Sequence, residues 1–344
     1  MQPMDTQAAI GAQATLLHAW LLGLQLMVAT REGPAVTGDW MFRLFRRQHE
    51  AKFLASFEKL GLTGLPDAVA CAQYHVLSNA IGGVAVEYLP ESDRKAWVRF
   101  RYPRWMYAGP TLCGVPVEVS RGFLRGWYAH NGVSLRNPRL GFVCVSEDMT
   151  GEFRFCGYFL EHDRVLAEDE RLQFRRGERP PIFDAAQQPV PPAAHWNAER
   201  LAKARRNYAL DYLRNGLSAL AAVVGPARTG ELGALSARLI GLQYYAETAA
   251  MVGAADGDAE AALDYLARMA VGMGDDTQRL DDASSLVLRQ SGLRVVDGLD
   301  GDERACVLSA WCALWQGALA SMRGIFELTV GHEPGAVVWR LARA

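Results

Sequence analysis

The run Lys95-Ala96-Trp97-Val98-Arg99-Phe100-Arg101 places an indole and two guanidinium groups on alternate residues, so Trp97, Arg99 and Arg101 share one side of a strand with Lys95. Arginine forks match a carboxylate, and a neighbouring ring supplies a flat wall, which makes this side a candidate anion clamp. The plainer reading is a solvated ion-pair lattice, each pair contributing at most about 1 kcal/mol. With a turn centred near Ser92, Glu87 is expected opposite Trp97 and diagonal to Lys95 and Arg99. The other side of the strand, Ala96, Val98, Phe100 and Tyr102, reads as core.

Groups able to move protons occur further along. Glu161-His162-Asp163 leaves a predicted strand, and Glu161 or Asp163 at such a position has the chemistry to activate water. Val119, Phe123 and Trp127 repeat every four residues in the stretch 116–131, which ends on Asn131-Gly132 as helices do. His130 then sits at a helix C-terminus beside Tyr128 and Asn131, either as a cap favoured by the dipole or as a general acid or base. His75 faces the same choice between core residue and base. A hairpin over 138–163, turning near Thr150, sets Cys144 opposite Cys156, but no further histidine or cysteine follows at a metal-binding interval. Phosphate loops, the Gly-x-Ser-x-Gly elbow and His-Glu-x-x-His are absent, so neither a cofactor nor a metal is expected.

The elements that must carry these residues form a pattern read twice. The helix Asp67 to Ile81 leads through Gly82 and Gly83 into a hairpin ending at Arg101. The helix Asp302 to Met322 leads through Gly324 into a second hairpin ending near Leu341. Ungapped, Cys71, Gly83 and Arg99 fall on Cys312, Gly324 and Arg340. The expected fold is α+β in two tandem related modules, each with helices before an antiparallel sheet or hairpin, the second mostly helical. The segment 175–195, with five prolines, reads as the linker between a module over 1–174 and one over 196–344. In the second module Trp311 and Trp315 form a helix stripe that is core unless exposed, in which case it would mark an assembly surface or homo-oligomer contact.

Composition sets the class. The 344 residues are half hydrophobic, enough for two cores, and a net charge of -2 supplies no field for nucleic acid or an acidic membrane. The apolar stretch Leu16 to Ala29 holds His18 and Gln25 and reads as neither a leader nor a membrane anchor. Six dispersed cysteines fit reduced thiols in a cytoplasmic protein.

The run from Gly82 through Glu87 into Trp97-Val98-Arg99, then Asn137-Pro138-Arg139-Leu140 and the Cys156-Gly157-Tyr158 strand, resembles the L-2-amino-thiazoline-4-carboxylic acid hydrolase-like family. That family is in turn similar to the small ligand-binding domains of the vinyl reductase type. The resemblance implies a small-molecule hydrolase cleaving a C–N bond of a carboxylate-bearing amide or cyclic amidine, or a non-catalytic binding or sensor protein. The cysteine that the family often carries near its last strand is replaced here by Glu168-Asp169-Glu170, leaving acid/base hydrolysis or binding. In the hydrolase reading Arg99 and Arg101 anchor the substrate, Trp97 and Trp127 wall it, and His130, Glu161 or Asp163 handles protons.

Overall fold

In chain order, α1 (Thr6–Glu32), α2 (Pro34–Lys52), the short α3 (Phe57–Leu60) and α4 (Asp67–Ile81) lead into the hairpin β1 (Val86–Ser92) and β2 (Lys95–Phe100). Next come α5 (Val117–Gly126), the short α6 (Asn131–Ser134), the hairpin β3 (Leu140–Ser146) and β4 (Cys156–Glu161), and β5 (Leu172–Phe174). The remainder is α7 (Ala198–Val224), α8 (Pro226–Val252), α9 (Ala259–Met273), β6 (Asp276–Arg279), β7 (Ser285–Ser291), α10 (Gly301–Ala318), β8 (Phe326–Glu333) and β9 (Ala336–Arg343). This is a computed structural model that describes residues 5–102, 104–152, 154–254, 257–322 and 325–343; Phe153 and Gly324, read above as strand and turn residues, lie outside them. The fold is α+β.

Two units are formed: one from residues 28–201, with five strands, and one from 1–27 with 202–344, with four. The first 27 residues therefore group with the C-terminal elements, and the proline-rich run belongs to the five-stranded unit, which closes at Leu201. That run is packed rather than free. Trp196 Nε1 donates to Lys59 O at 2.8 Å, and the Gln188 side chain bonds both main-chain groups of Tyr88, accepting from its N–H at 2.9 Å and donating to its carbonyl at 2.8 Å. Since β1 is the edge strand, Gln188 satisfies donor and acceptor groups that would otherwise await a neighbour.

The two units share a connectivity. Their sheets run β1-β2-β4-β3 and β6-β7-β9-β8, each built from two hairpins separated by a helix, with β5 added beyond β3 in the first. The helices α1, α2 and α4 begin 192 residues before α7, α8 and α9, at Thr6 and Ala198, Pro34 and Pro226, and Asp67 and Ala259. The helices α2 and α8 open alike, on Gly33-Pro34-Ala35-Val36-Thr37-Gly38 and Gly225-Pro226-Ala227-Arg228-Thr229-Gly230. Both leading glycines have positive φ, 88° and 84°, which suits a residue before proline that must not enter the helix itself. One turn later the N–H groups of Thr37 and Thr229 donate to their carbonyls at 3.2 and 3.1 Å. This order matches α4 with α9 and α5 with α10, so the pairing of α4 with α10 expected from Cys71 and Cys312 is displaced by one helix and hairpin.

Packing follows the same plan. A Cβ on Gly122 or Gly126 of α5 would collide with the backbone of α2, and one on Gly241 of α8 or Gly317 of α10 with the backbone of the opposing helix. Such close backbone approach is open only to glycine. The stripe Trp311 and Trp315 is 0% and 2% exposed, packed with Trp339 and Tyr265, and so offers no assembly surface. Trp339 Nε1 donates to Gln290, which in turn donates to Asp275 at 2.8 Å. The apolar stretch read near the N-terminus is part of the longer α1, the one helix among the described residues long and apolar enough to cross a membrane. Residues 6–27 of α1 belong to the four-stranded unit, where Trp20 Nε1 donates to Ser236 Oγ at 3.1 Å and Gln13 donates to Arg206 O at 3.3 Å.

Candidate anion-binding cleft beside Asp148

The first hairpin turns one residue later than the sequence suggests, and a bulge between Pro90 and Ser92 adjusts the register. Glu87 therefore faces Arg99, and Leu89 takes the place opposite Trp97. The shift decides the electrostatics. Glu87 is 8% exposed and accepts from Arg99 Nε at 2.6 Å, while Arg154 Nη1 stands 3.6 Å and Arg101 Nε 3.7 Å from its oxygens. Three guanidinium groups surround one buried carboxylate, which holds them in place yet neutralises one charge only.

Arg101 and Arg154 also line a cleft of about 380 Å³, together with Tyr102, Leu112, Asp148 and Glu152. Arg154 holds a left-handed backbone with φ 71°, strained for a residue with a side chain and a mark of sites where position outweighs comfort. Glu152 is engaged by Arg176 and accepts from the Glu147 N–H at 2.7 Å. Asp148 is different. Burial pushes its carboxyl up to about 6, partly offset by the Phe155 N–H, and its Oδ2 is buried with no hydrogen-bond partner among the described residues. Just inside lies a small void lined by Asp148, Arg104, Tyr107 and Ser120. The cleft thus combines two oriented guanidinium groups with an acid able to carry a proton near neutrality.

The other residues picked from the sequence fall elsewhere. Trp97 is 1% exposed in a cluster with Leu89, Val143, Val145, Cys156 and Tyr158, its Nε1 donating to Glu91 at 2.6 Å and Lys95 Nζ 5.0 Å from its ring. That side of the sheet is apolar at Trp97, between Lys95 at one end and Arg99 and Arg101 at the other, and Trp97 is core rather than the wall of a site. The expected core side holds Ala96, Val98 and Phe100, whereas Tyr102 is 68% exposed at the cleft. Trp127 and Tyr128 are buried as well. The Tyr128 ring stacks on His75 at 3.8 Å, His75 stacks on Phe159 at 5.5 Å, and Asn131 Nδ2 meets His75 Nε2 at 3.2 Å. This is a packed polar-aromatic core, and desolvation holds His75 well below its usual range.

His130 is half-buried beside His49, ring centroids 5.1 Å apart, and burial with the nearby Arg46 and Arg171 lowers it to about 4. Glu161 and Asp163 lie at the opposite end of β4 from Cys156, which pairs with Arg99. Five residues of strand place them roughly 17 Å from the guanidinium cluster. Glu161 and Asp67 share the Asn137 amide at 3.1 and 2.8 Å, and Asp163, 94% exposed at its side chain, pairs with Arg94 at 2.7 Å, which lowers its carboxyl below the ordinary range. These groups fasten loops. Glu161 and Asp163 therefore stand away from Arg99 and Arg101, and His130 has His49, Arg46 and Arg171 as its neighbours.

The second hairpin also departs from its expected register: Cys144 faces Gly157 and Ser146 faces Cys156. Both thiols are free, and burial raises Cys156 to about 12 and Cys144 higher still. Among the described residues no histidine, cysteine and carboxylate group could hold a metal ion. The residues that sequence reasoning passed over are Asp148 and Arg154, because an acid in a hairpin turn looks like any other turn former. No family model matches the chain, and neither a curated protein nor a solved structure does.

Proposed function

We propose that the five-stranded unit binds a small carboxylate-bearing molecule in the cleft beside Asp148, as a binding or sensor protein of the class that the vinyl reductase-type resemblance implies. The observation that carries this reading is the group of three guanidiniums on Glu87, two of which line the cleft. Arg101 and Arg154 would receive the ligand's carboxylate, and Tyr102 and Leu112 would flank its body. Protonated Asp148 would donate to a ligand acceptor, and Glu87 would keep the arginines oriented before the ligand arrives. A cytoplasmic setting accords with the free thiols.

One observation favours a second reading, hydrolysis of a C–N bond. Burial pushes the Asp148 carboxyl up to about 6, in the range of a general acid, and it lines the same cleft, so it would take the role first given to His130, Glu161 and Asp163. Calorimetric titration against a panel of small amino acids, dicarboxylates and their amides, with product analysis of the amides, separates the two. Binding without turnover supports the sensor. Turnover lost in Asp148→Asn but not in Glu161→Gln supports the hydrolase. Failure of every acid to bind, or equal binding by the Arg101→Ala, Arg154→Ala double variant, would overturn both.

A further inference from the structure

In the five-stranded unit the outer edge of β3 is covered by β5, which runs parallel to it with Phe142 facing Leu172 and Cys144 facing Phe174. The approach to β5 seals the start of β3. Leu166 is 2% exposed and its Cδ1 occupies the space beside Gly141. Glu168 and Arg171 lie within electrostatic reach of Arg46 on α2, whose guanidinium donates to the last carbonyls of α5 at Gly126 and Arg125, 3.1 and 3.3 Å away.

The four-stranded unit has the same three parts. Its β8 takes the position of β3 in the strand order, α10 that of α5, and Arg238 on α8 follows Arg46 by 192 residues. Yet no strand lies beyond β8 among the described residues. Where Leu166 and its neighbours sit in the first unit, the second has a cleft of about 270 Å³ at the start of β8, between Arg238, Gln316, Leu319, Ala320, Phe326 and Leu328. From Glu327 on, the eight-residue β8 is half-buried or exposed at every position.

We propose that the β8 edge and its cleft receive a segment of a partner protein, added as a short strand parallel to β8 as β5 lies on β3, the residues leading into that strand placing an apolar side chain in the cleft and an acidic residue two positions later at Arg238. The chain's own Leu166 and Glu168 supply the pattern for that partner, and main-chain pairing along an open edge supplies affinity while the cleft and the arginine supply selectivity. A site for a small ligand would need no strand edge; here the β8 residues Phe326 to Leu328 line the cleft.

The test uses the whole protein and a fluorescent peptide of residues 164–176 as the probe. Saturable one-to-one binding is expected, with amide exchange slowed in β8. Arg238→Glu should weaken it at least about fivefold, with Glu168→Arg in the peptide restoring affinity. Ala320→Trp, which fills the cleft from a half-buried surface position, should abolish binding while leaving the circular dichroism spectrum unchanged. The proposal is overturned if the folded protein does not bind the peptide, if a scrambled peptide binds equally, or if protection appears away from β8. It also falls if sedimentation shows that β8 instead pairs two copies of the chain.

Discussion

The two sheets are wired alike and charged differently. In the four-stranded unit the arginines Arg289, Arg340 and Arg279 each have an acid of their own: Arg289 pairs with Glu333 at 2.8 Å, Arg340 pairs with Asp282, and Arg279 has both Glu260 and Asp281. In the five-stranded unit Arg99, Arg101 and Arg154 share Glu87. One connectivity can therefore serve as a scaffold with balanced surface charge or as a frame that concentrates positive charge at a cleft. The difference lies in where acids are placed on the strands, not in the strands themselves.

The largest expected effect tests what the units have in common. Gly241→Ala pushes a methyl into the α10 backbone and should cost about 3 kcal/mol or more, read as a fall in the urea midpoint. Gly126→Ala should do the same through α2. If either glycine tolerates alanine, the two helix pairs are not packed alike. Next, Glu87→Gln leaves three guanidiniums around a neutral amide and should cost about 2 kcal/mol by chemical denaturation, reduced from the fully buried case because the arginines are partly hydrated. Arg289→Ala in the other sheet should cost under about 1 kcal/mol, so equal losses would erase the contrast.

Binding sharpens it further. Arg101→Ala should lower affinity for a small carboxylate about tenfold in calorimetry, with folding unchanged because that side chain is largely exposed. The smallest effect concerns pH. Asp148 has a folded value of about 6 against 3.8 unfolded, so it is neutral below about 6 and charged above. Affinity for an anion should fall severalfold as pH rises through about 6, and Asp148→Asn should flatten that dependence. The sign for stability is the same: between 3.8 and 6 the folded state holds the proton more tightly, so protonation stabilises it and the contribution is lost as pH rises.

Much of the architecture was legible in the sequence. The helix α4 matches its predicted ends, Asp67 and Ile81, because apolar periodicity and flanking glycine or proline act locally. Registers were not, since one residue in the Asp93-Arg94 turn moves Glu87 from Trp97 to Arg99. That single step exchanged an indole for a guanidinium in the site. The stronger sign of shared connectivity, the Gly-Pro-Ala-x-Thr-Gly phrase at Gly33 and Gly225, was open to view but lies at helix starts rather than in the hairpins where a site was sought. The grouping of residues 1–27 with the C-terminal half has no local signature, because it depends on packing between segments more than 200 residues apart, such as Trp20 with Ser236. Asp148 was hidden for a related reason: burial of a turn acid is decided by the surrounding chain.

The amide of Gln188 imitates a passing strand for one residue of β1, giving and taking a hydrogen bond at Tyr88. Deamidation there would swap the donating nitrogen for a second oxygen facing the Tyr88 carbonyl, turning an adhesive into a repellent. A spontaneous ageing reaction of one side chain would then peel the following polyproline-like strap from the sheet and leave a bare, self-templating margin.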